Sequence, residues 1–109
     1  MSSSAGNFGW STEDKLGREL LRLSHLGNEE KFFLFVEEHP NVDVNFMNLA
    51  GESALYFAAR KNVAISKKLI EMGANIYART GVSRATVFHS CAIAGNIPVL
   101  ELLLQIANP

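Results

Sequence analysis

Apolar positions recur along this chain with helical spacing, and the runs break at regular intervals. The clearest stretch is Thr86-Val87-Phe88-His89-Ser90-Cys91-Ala92-Ile93-Ala94-Gly95-Asn96-Ile97-Pro98-Val99-Leu100-Glu101-Leu102-Leu103-Leu104. It predicts two short helices separated at Gly95-Asn96. A weaker copy runs from Ser53-Ala54-Leu55-Tyr56-Phe57-Ala58-Ala59 through Asn62 to Leu69-Ile70. Ser53 and Thr86 stand 33 residues apart, and Asn62 and Asn96 stand 34 apart. A period of that size implies one helical unit copied along the chain, each copy burying its apolar face on the next.

The upstream residues share the same plan. Residues 1–10 are rich in Ser, Gly and Asn and read as a flexible tail ending in Phe8-Gly9-Trp10, with Trp10 expected to pack on the first helix as a lid. Ser11-Thr12-Glu13-Asp14 is a helix start, because a hydroxyl accepts from free backbone N–H groups and acids favour the positive helix end. Leu16, Leu20 and Leu23 form the stripe of that helix, and Leu21 and Leu26 widen it. Gly27-Asn28 divides it from a second helix with Glu29 and Glu30 in its first turn and an apolar face of Phe32, Phe33, Phe35 and Val36. His39-Pro40-Asn41 stops that helix, since proline cannot continue it. After an extended segment at 42–51, Ser53 caps an inner helix built on Leu55, Ala58 and Ala59. Asn62 caps an outer helix built on Ile65, Leu69 and Ile70, and Gly73 closes it in the left-handed conformation. A second extended segment covers 74–81. Asn28, Asn62 and Asn96 recur every 34 residues, each between the two helices of a unit, where an asparagine oxygen is a favoured cap.

Composition narrows the class. The chain has 109 residues, 48% hydrophobic and 19% charged, which suits one ordinary globular domain. A net charge of -1 supplies no bulk attraction to nucleic acid or to anionic membrane. The charge is unevenly spread. Residues 1–47 carry four basic and eight acidic side chains, and residues 48–109 carry six and three. One cysteine, Cys91, excludes an intramolecular disulfide and fits a reducing compartment. No signal-peptide pattern opens the chain, and no apolar run approaches the roughly 20 residues of a membrane span. The expected location is cytoplasmic or nuclear.

With helix, turn, helix and extended loop counted three times, the chain resembles the ankyrin repeat family. Thr86, Phe88 and His89 match the Thr, Leu and His of that family's opening motif, and Ala92, Gly95, Val99, Leu100 and Leu102-Leu103-Leu104 match its later positions. In the middle unit Gly51, Ser53, Leu55, Ala58, Ala59, Leu69, Ile70, Gly73, Ala74 and Ala78 match. In the divergent first unit Gly27 and Asp43-Val44-Asn45 still fit. The resemblance covers roughly residues 16–109. It implies an all-α, ankyrin-type α-solenoid of helix-turn-helix units joined by extended β-hairpin-like loops. The expected division is a tail at 1–11 and a repeat domain at 12–109, with a divergent cap unit at 12–47, a second unit at 48–80 and a third at 81–109. Departures from the pattern are local. Val87 and Ala54 replace the usual proline, Tyr56 replaces the histidine, Cys91 takes a small buried site, and Arg84 stands where the family has its loop glycine.

Little in the sequence speaks for catalysis. His89 sits inside the repeat motif and is expected to serve architecture, bridging neighbouring units. A Cys91–His89 pair belongs to one short helix, with the cysteine at a packed position. His25 and His39 lie near helix ends, where they are expected to meet free carbonyls. No His/Cys cluster has metal spacing, Gly95-Asn96 is no phosphate loop, and no cofactor is implied. Glu29-Glu30 and Glu37-Glu38 read as solvated helix faces.

The resemblance instead implies a binding module that meets a partner protein, with nucleic acid and membrane not expected as partners. In the family, partners meet the loop tips and the exposed side of the inner helices. Carried over, those positions are Phe46, Met47, Leu49, Ala50 and Glu52 at the first loop, and Arg79, Val82, Ser83, Arg84 and Ala85 at the second. On the inner helices they are Arg60, Lys61, Ile93 and Ala94. Leu49, Val82 and Ile93 would be apolar anchors amid Arg60, Arg79 and Arg84. Two rival readings exist: a targeting or regulatory region of a longer catalytic protein, and an element that self-associates through its apolar last helix. Because Ile97, Leu100, Leu103 and Leu104 stay apolar to the end, the chain is expected to be a fragment of a longer repeat array.

Overall fold

The protein is described by a computed structural model covering residues 12–81 and 84–107. The expected Trp10 lid, the Ser11 cap and the loop positions Val82 and Ser83 lie outside the described residues. Among those described, six helices succeed one another: α1 (Thr12–Leu26), α2 (Glu29–Glu38), α3 (Ala54–Ala58), α4 (Val63–Glu71), α5 (Val87–Ala94) and α6 (Ile97–Ala107). They form two rows. The inner helices stack as α1 on α3 on α5, and the outer helices as α2 on α4 on α6. Each unit contributes one helix to each row, so the rows share a single apolar layer.

That layer is built from the predicted stripes. Leu20 and Leu23 of α1, Phe32 of α2, Leu55 of α3, Ile65 and Leu69 of α4, Val87 and Cys91 of α5, and Val99 and Leu103 of α6 are all buried. Small residues let the inner helices approach: Ala54, Ala58 and Ala59 are completely covered. Two predicted core positions face out instead. Leu26, the last residue of α1, is 59% exposed, and Phe33 is 37% exposed on the outer flank of α2.

The 34-residue asparagines do two jobs. The Oδ1 atoms of Asn28 and Asn62 accept from the backbone N–H groups of Lys31 and Ile65 at 3.1 and 2.9 Å, capping α2 and α4. The amide nitrogens of Asn62 and Asn96 reach back into the preceding unit, to Glu29 Oε2 at 3.0 Å and to the Ala59 carbonyl at 3.1 Å. The Ser90 hydroxyl donates across the second junction to the Tyr56 carbonyl at 2.8 Å. Backbone polar groups left over by one unit are thus satisfied by the next.

The connecting segments hold turns at 44–45, 49–50 and 76–77, with a single antiparallel bridge between Met47 and Ser53 and no strand among the described residues, so the expected β-hairpin-like form goes no further than that bridge. Side chains stitch them together. Asn45 Oδ1 accepts from the Asn75 N–H at 2.7 Å, and its Nδ2 donates to the Gly73 carbonyl at 3.3 Å. At the tips, Gly81 N–H donates to the Ala50 carbonyl at 2.8 Å. Gly51 makes this contact feasible. Its φ is +80°, and a Cβ there would stand 2.5 Å from the Gly81 nitrogen, so both the turn and the approach demand glycine.

Candidate protein-binding surface

The first loop tip is organised by Asn48. Its Oδ1 accepts from the N–H groups of Ala50 and Glu52 at 3.0 and 2.9 Å, and its Nδ2 donates to Glu52 Oε1 at 3.0 Å. The turn leaves Leu49 wholly in solvent and Met47 half exposed, while Glu52 is tied to Asn48. Ala50 is exposed at the tip, although its carbonyl is taken by Gly81. Phe46 is placed differently. Its ring lies on Gly17 of α1, where a Cβ would come within 2.4 Å of Cγ, so Phe46 packs against the scaffold and is only partly accessible.

At the second loop Arg79 and Arg84 are exposed and Ala85 is half-buried. Thr80 shapes this tip: its N–H donates to the Ala85 carbonyl at 2.9 Å, and its Oγ1 accepts from the Ala85 N–H at 3.0 Å. Arg84 adopts φ +56° and is the one non-glycine residue in the left-handed region among those described. It occupies the place in the turn that Gly51 holds in the first loop, which is where the sequence departs from the family pattern.

The inner helices converge on a third region. His25 of α1, Phe57 of α3, Arg60 and Lys61 just after it, and Ala94 of α5 line an open groove of about 320 Å³. The His25 and Phe57 rings meet edge to face, with centroids 4.8 Å apart. Lys61 Nζ donates to the His25 carbonyl at 2.6 Å, so its charge sits at the negative end of α1. Arg60 is exposed and has no ion pair to a described residue. Ile93, next to Ala94, is 79% exposed. The structure therefore brings together Arg60, Lys61 and Ala94, and it adds His25 and Phe57. Phe57 carried a readable signal, since a large aromatic next to Ala58 and Ala59 stands out in a short helix whose small residues are wholly covered. His25 meets a ring with its own ring, and its carbonyl meets Lys61.

Several other titratable groups serve structure. His89 Nδ1 accepts from the Thr86 N–H at 3.2 Å and lies 2.9 Å from Thr86 Oγ1, closing the start of α5 within its own unit. This assigns the proton to Nε2. The expected bridge to a neighbouring unit is made here by Asn96 and Ser90. His39 lies against Phe35 at 4.9 Å. Arg22 and Glu19 pair at 2.6 Å, and that bond holds the Glu19 carboxyl below its ordinary range. Burial pushes the Cys91 thiol up, away from the thiolate a nucleophile needs. Among the described residues no group of three His, Cys, Asp or Glu side chains could hold a metal ion. No described helix is long and apolar enough to cross a membrane.

With two rows of helices in 34-residue register and glycines closing their turns, the molecule is a repeat protein. The chain belongs to the ankyrin repeat family: the family's three-copy form matches residues 20–109. No curated protein matches the sequence. Ankyrin repeats are generally protein-interaction modules, and the family is typically non-catalytic.

Proposed function

We propose that this chain is a protein-interaction module that holds a partner protein between its loop tips and the concave side of its inner helices, without catalysis of its own. The observation that carries this reading is the groove shared by α1, α3 and α5, flanked by exposed Ile93, on a chain whose loop tips expose Leu49, Arg79 and Arg84. Arginine is among the residues on which binding energy concentrates, and Leu49 and Ile93 offer exposed apolar surface. The repeat domain is taken as 12–109, with units at 12–47, 48–80 and 81–109 and a tail at 1–11. The cytoplasm or nucleus is its proposed location. Partner capture from cell extract, then binding measurements on variants, tests the reading. Arg84→Glu and Ile93→Arg should each abolish partner binding with unchanged circular dichroism, and unchanged binding in both removes this surface.

A second reading rests on α6. Ile97, Leu104 and Ile106 are 53%, 45% and 41% exposed, an apolar face on which a further unit or another copy could stack. Light scattering over a range of concentrations separates the two readings, since a monomer throughout counts against self-association. A third, the targeting region of a longer catalytic protein, is checked by the reading frame that encodes the chain.

A further inference from the structure

We infer that the groove between His25, Phe57, Arg60, Lys61 and Ala94 takes a short acidic segment of a partner protein, with a carboxylate seated on Arg60 and an apolar neighbour on Phe57. The inference rests on the interaction-module reading and names the chemistry of its partner.

The lining decides the sign of the occupant. This groove holds a histidine, an arginine and a lysine and no carboxylate. The other recesses differ. One carries Asp14 and Asp43, and three on the outer flank each include a carboxylate: Glu71 with Lys67 and Lys68, Glu37 with Lys68, and Glu101 with Lys67. Of these recesses the groove alone carries cations and no carboxylate, and it lies where the inner helices end.

Helix ends oppose an anion here, and their size must be weighed. The inner helices all finish near the groove, and each C-terminus carries about half a negative charge. The structure offsets this. Lys61 sits on the His25 carbonyl at the end of α1, and Asn96 Nδ2 covers the Ala59 carbonyl at the end of α3. The end of α5 is closed by Gly95 and Asn96 N–H groups on Ala92 and Cys91. Lys61 is thereby committed to the scaffold, and the Arg60 guanidinium is left to act on a ligand. Its fork suits a carboxylate held by two hydrogen bonds. Arg22 does not compete, because Glu19 already holds it.

The groove also has an apolar side. Phe57 is half-buried and braced by His25, which makes it a firm wall. Ala94 leaves space, and Ile93 lies beside it, exposed. A ligand offering only charge would waste this wall. Nucleic acid would need a longer basic stripe than two cations and a histidine provide, on a chain whose net charge is -1.

The test is a selection of random dodecapeptides on the immobilised chain, then fluorescence anisotropy of labelled winners. Winners should be enriched in Asp or Glu next to a large apolar residue. Arg60→Glu should weaken them by about tenfold to a hundredfold, the range for hydrogen bonds to charged groups. Arg60→Lys should fall between, and Lys67→Glu on the outer flank should bind as the unchanged chain does. Winners without acidic residues overturn the proposal, as does an oligothymidine of equal charge that binds equally well. Failure to select any peptide also overturns it. Acidic winners insensitive to Arg60→Glu but lost in Arg84→Glu or Ile93→Arg overturn the groove assignment and leave the module reading standing. Insensitivity to all three overturns both.

Discussion

Lys61 reaches back across the first junction and places its Nζ 2.6 Å from the carbonyl of His25, 36 positions earlier. Its stem also covers Gly27, whose missing Cβ would lie 3.3 Å from Lys61 Cδ. The repeat register makes Lys61 a surface position, and the geometry makes it a clamp between units as well. Lys61→Met keeps the stem and removes the charge. It should cost about 1 kcal/mol, as expected for a charged donor at a helix C-terminus, and should lower the denaturant midpoint without changing the slope. Affinity for an acidic peptide should fall less than in Arg60→Glu, because the lost charge is the one the helix end had already absorbed.

Gly17 in the middle of α1 would ordinarily be a site to improve. Alanine there gains about 1 kcal/mol of helix propensity. The Phe46 ring changes the sign: an added Cβ would lie 2.4 to 2.8 Å from three of its atoms. Because Cγ is at the base of the ring, no small swing relieves the contact. Overpacking of this kind costs about 1–3 kcal/mol, so Gly17→Ala should be net destabilising. In a Phe46→Ala background the same change should become stabilising. Thermal melts of the four variants decide it, and additivity would refute the contact.

How far a side chain reaches decides whether the sequence shows its role. The helices were legible because their stripes are local: Leu55, Ala58 and Ala59, or Ile65 and Leu69, need only their spacing to be read. The caps at Asn28 and Asn62 were legible for the same reason. Bonds between units were not, because a side chain that reaches a whole repeat or nearly so away leaves no local mark. Asn96 therefore reads as a cap and is found bridging to Ala59, and Lys61 reads as surface and is found on His25. Phe46 reads as a loop flank for the same reason. His25 and Phe57 come together only once α1 is laid beside α3, which periodicity alone does not show.

Cys91 gives a pH dependence whose sign is set by burial. Loss of water raises its thiol above the ordinary value, and its Sγ donates to the Phe88 carbonyl at 3.4 Å. In the unfolded chain the thiol ionises near pH 8.5. Above that value the unfolded state sheds a proton that the folded state keeps, so stability falls as pH rises. Below it both states are protonated and the contribution is complete. Tm should decline more steeply between about pH 8 and 10 for the unchanged chain than for Cys91→Ala. Parallel curves would mean that the thiol ionises as freely folded as unfolded. A thiol reagent should label Cys91 only as fast as the chain opens.

Arg84 sets stability against function at one position. Its φ of +56° is a conformation that costs side chains with a Cβ about 1–2 kcal/mol relative to the right-handed region. Gly51, at the equivalent turn, has φ +80° without that penalty. Arg84→Gly removes the strain and also frees the unfolded chain, a partial offset of about 0.4–1 kcal/mol. The net gain should be several tenths of a kcal/mol up to about 1, read as a small rise in Tm. Arg84→Ala keeps the Cβ and should show no such gain. If the Arg84 side chain meets the partner, Arg84→Gly and Arg84→Ala should lose affinity to the same degree while differing in stability. That pairing separates the backbone of this turn from its side chain: equal stability would place no strain at Arg84, and full affinity in both would remove its guanidinium from the binding surface.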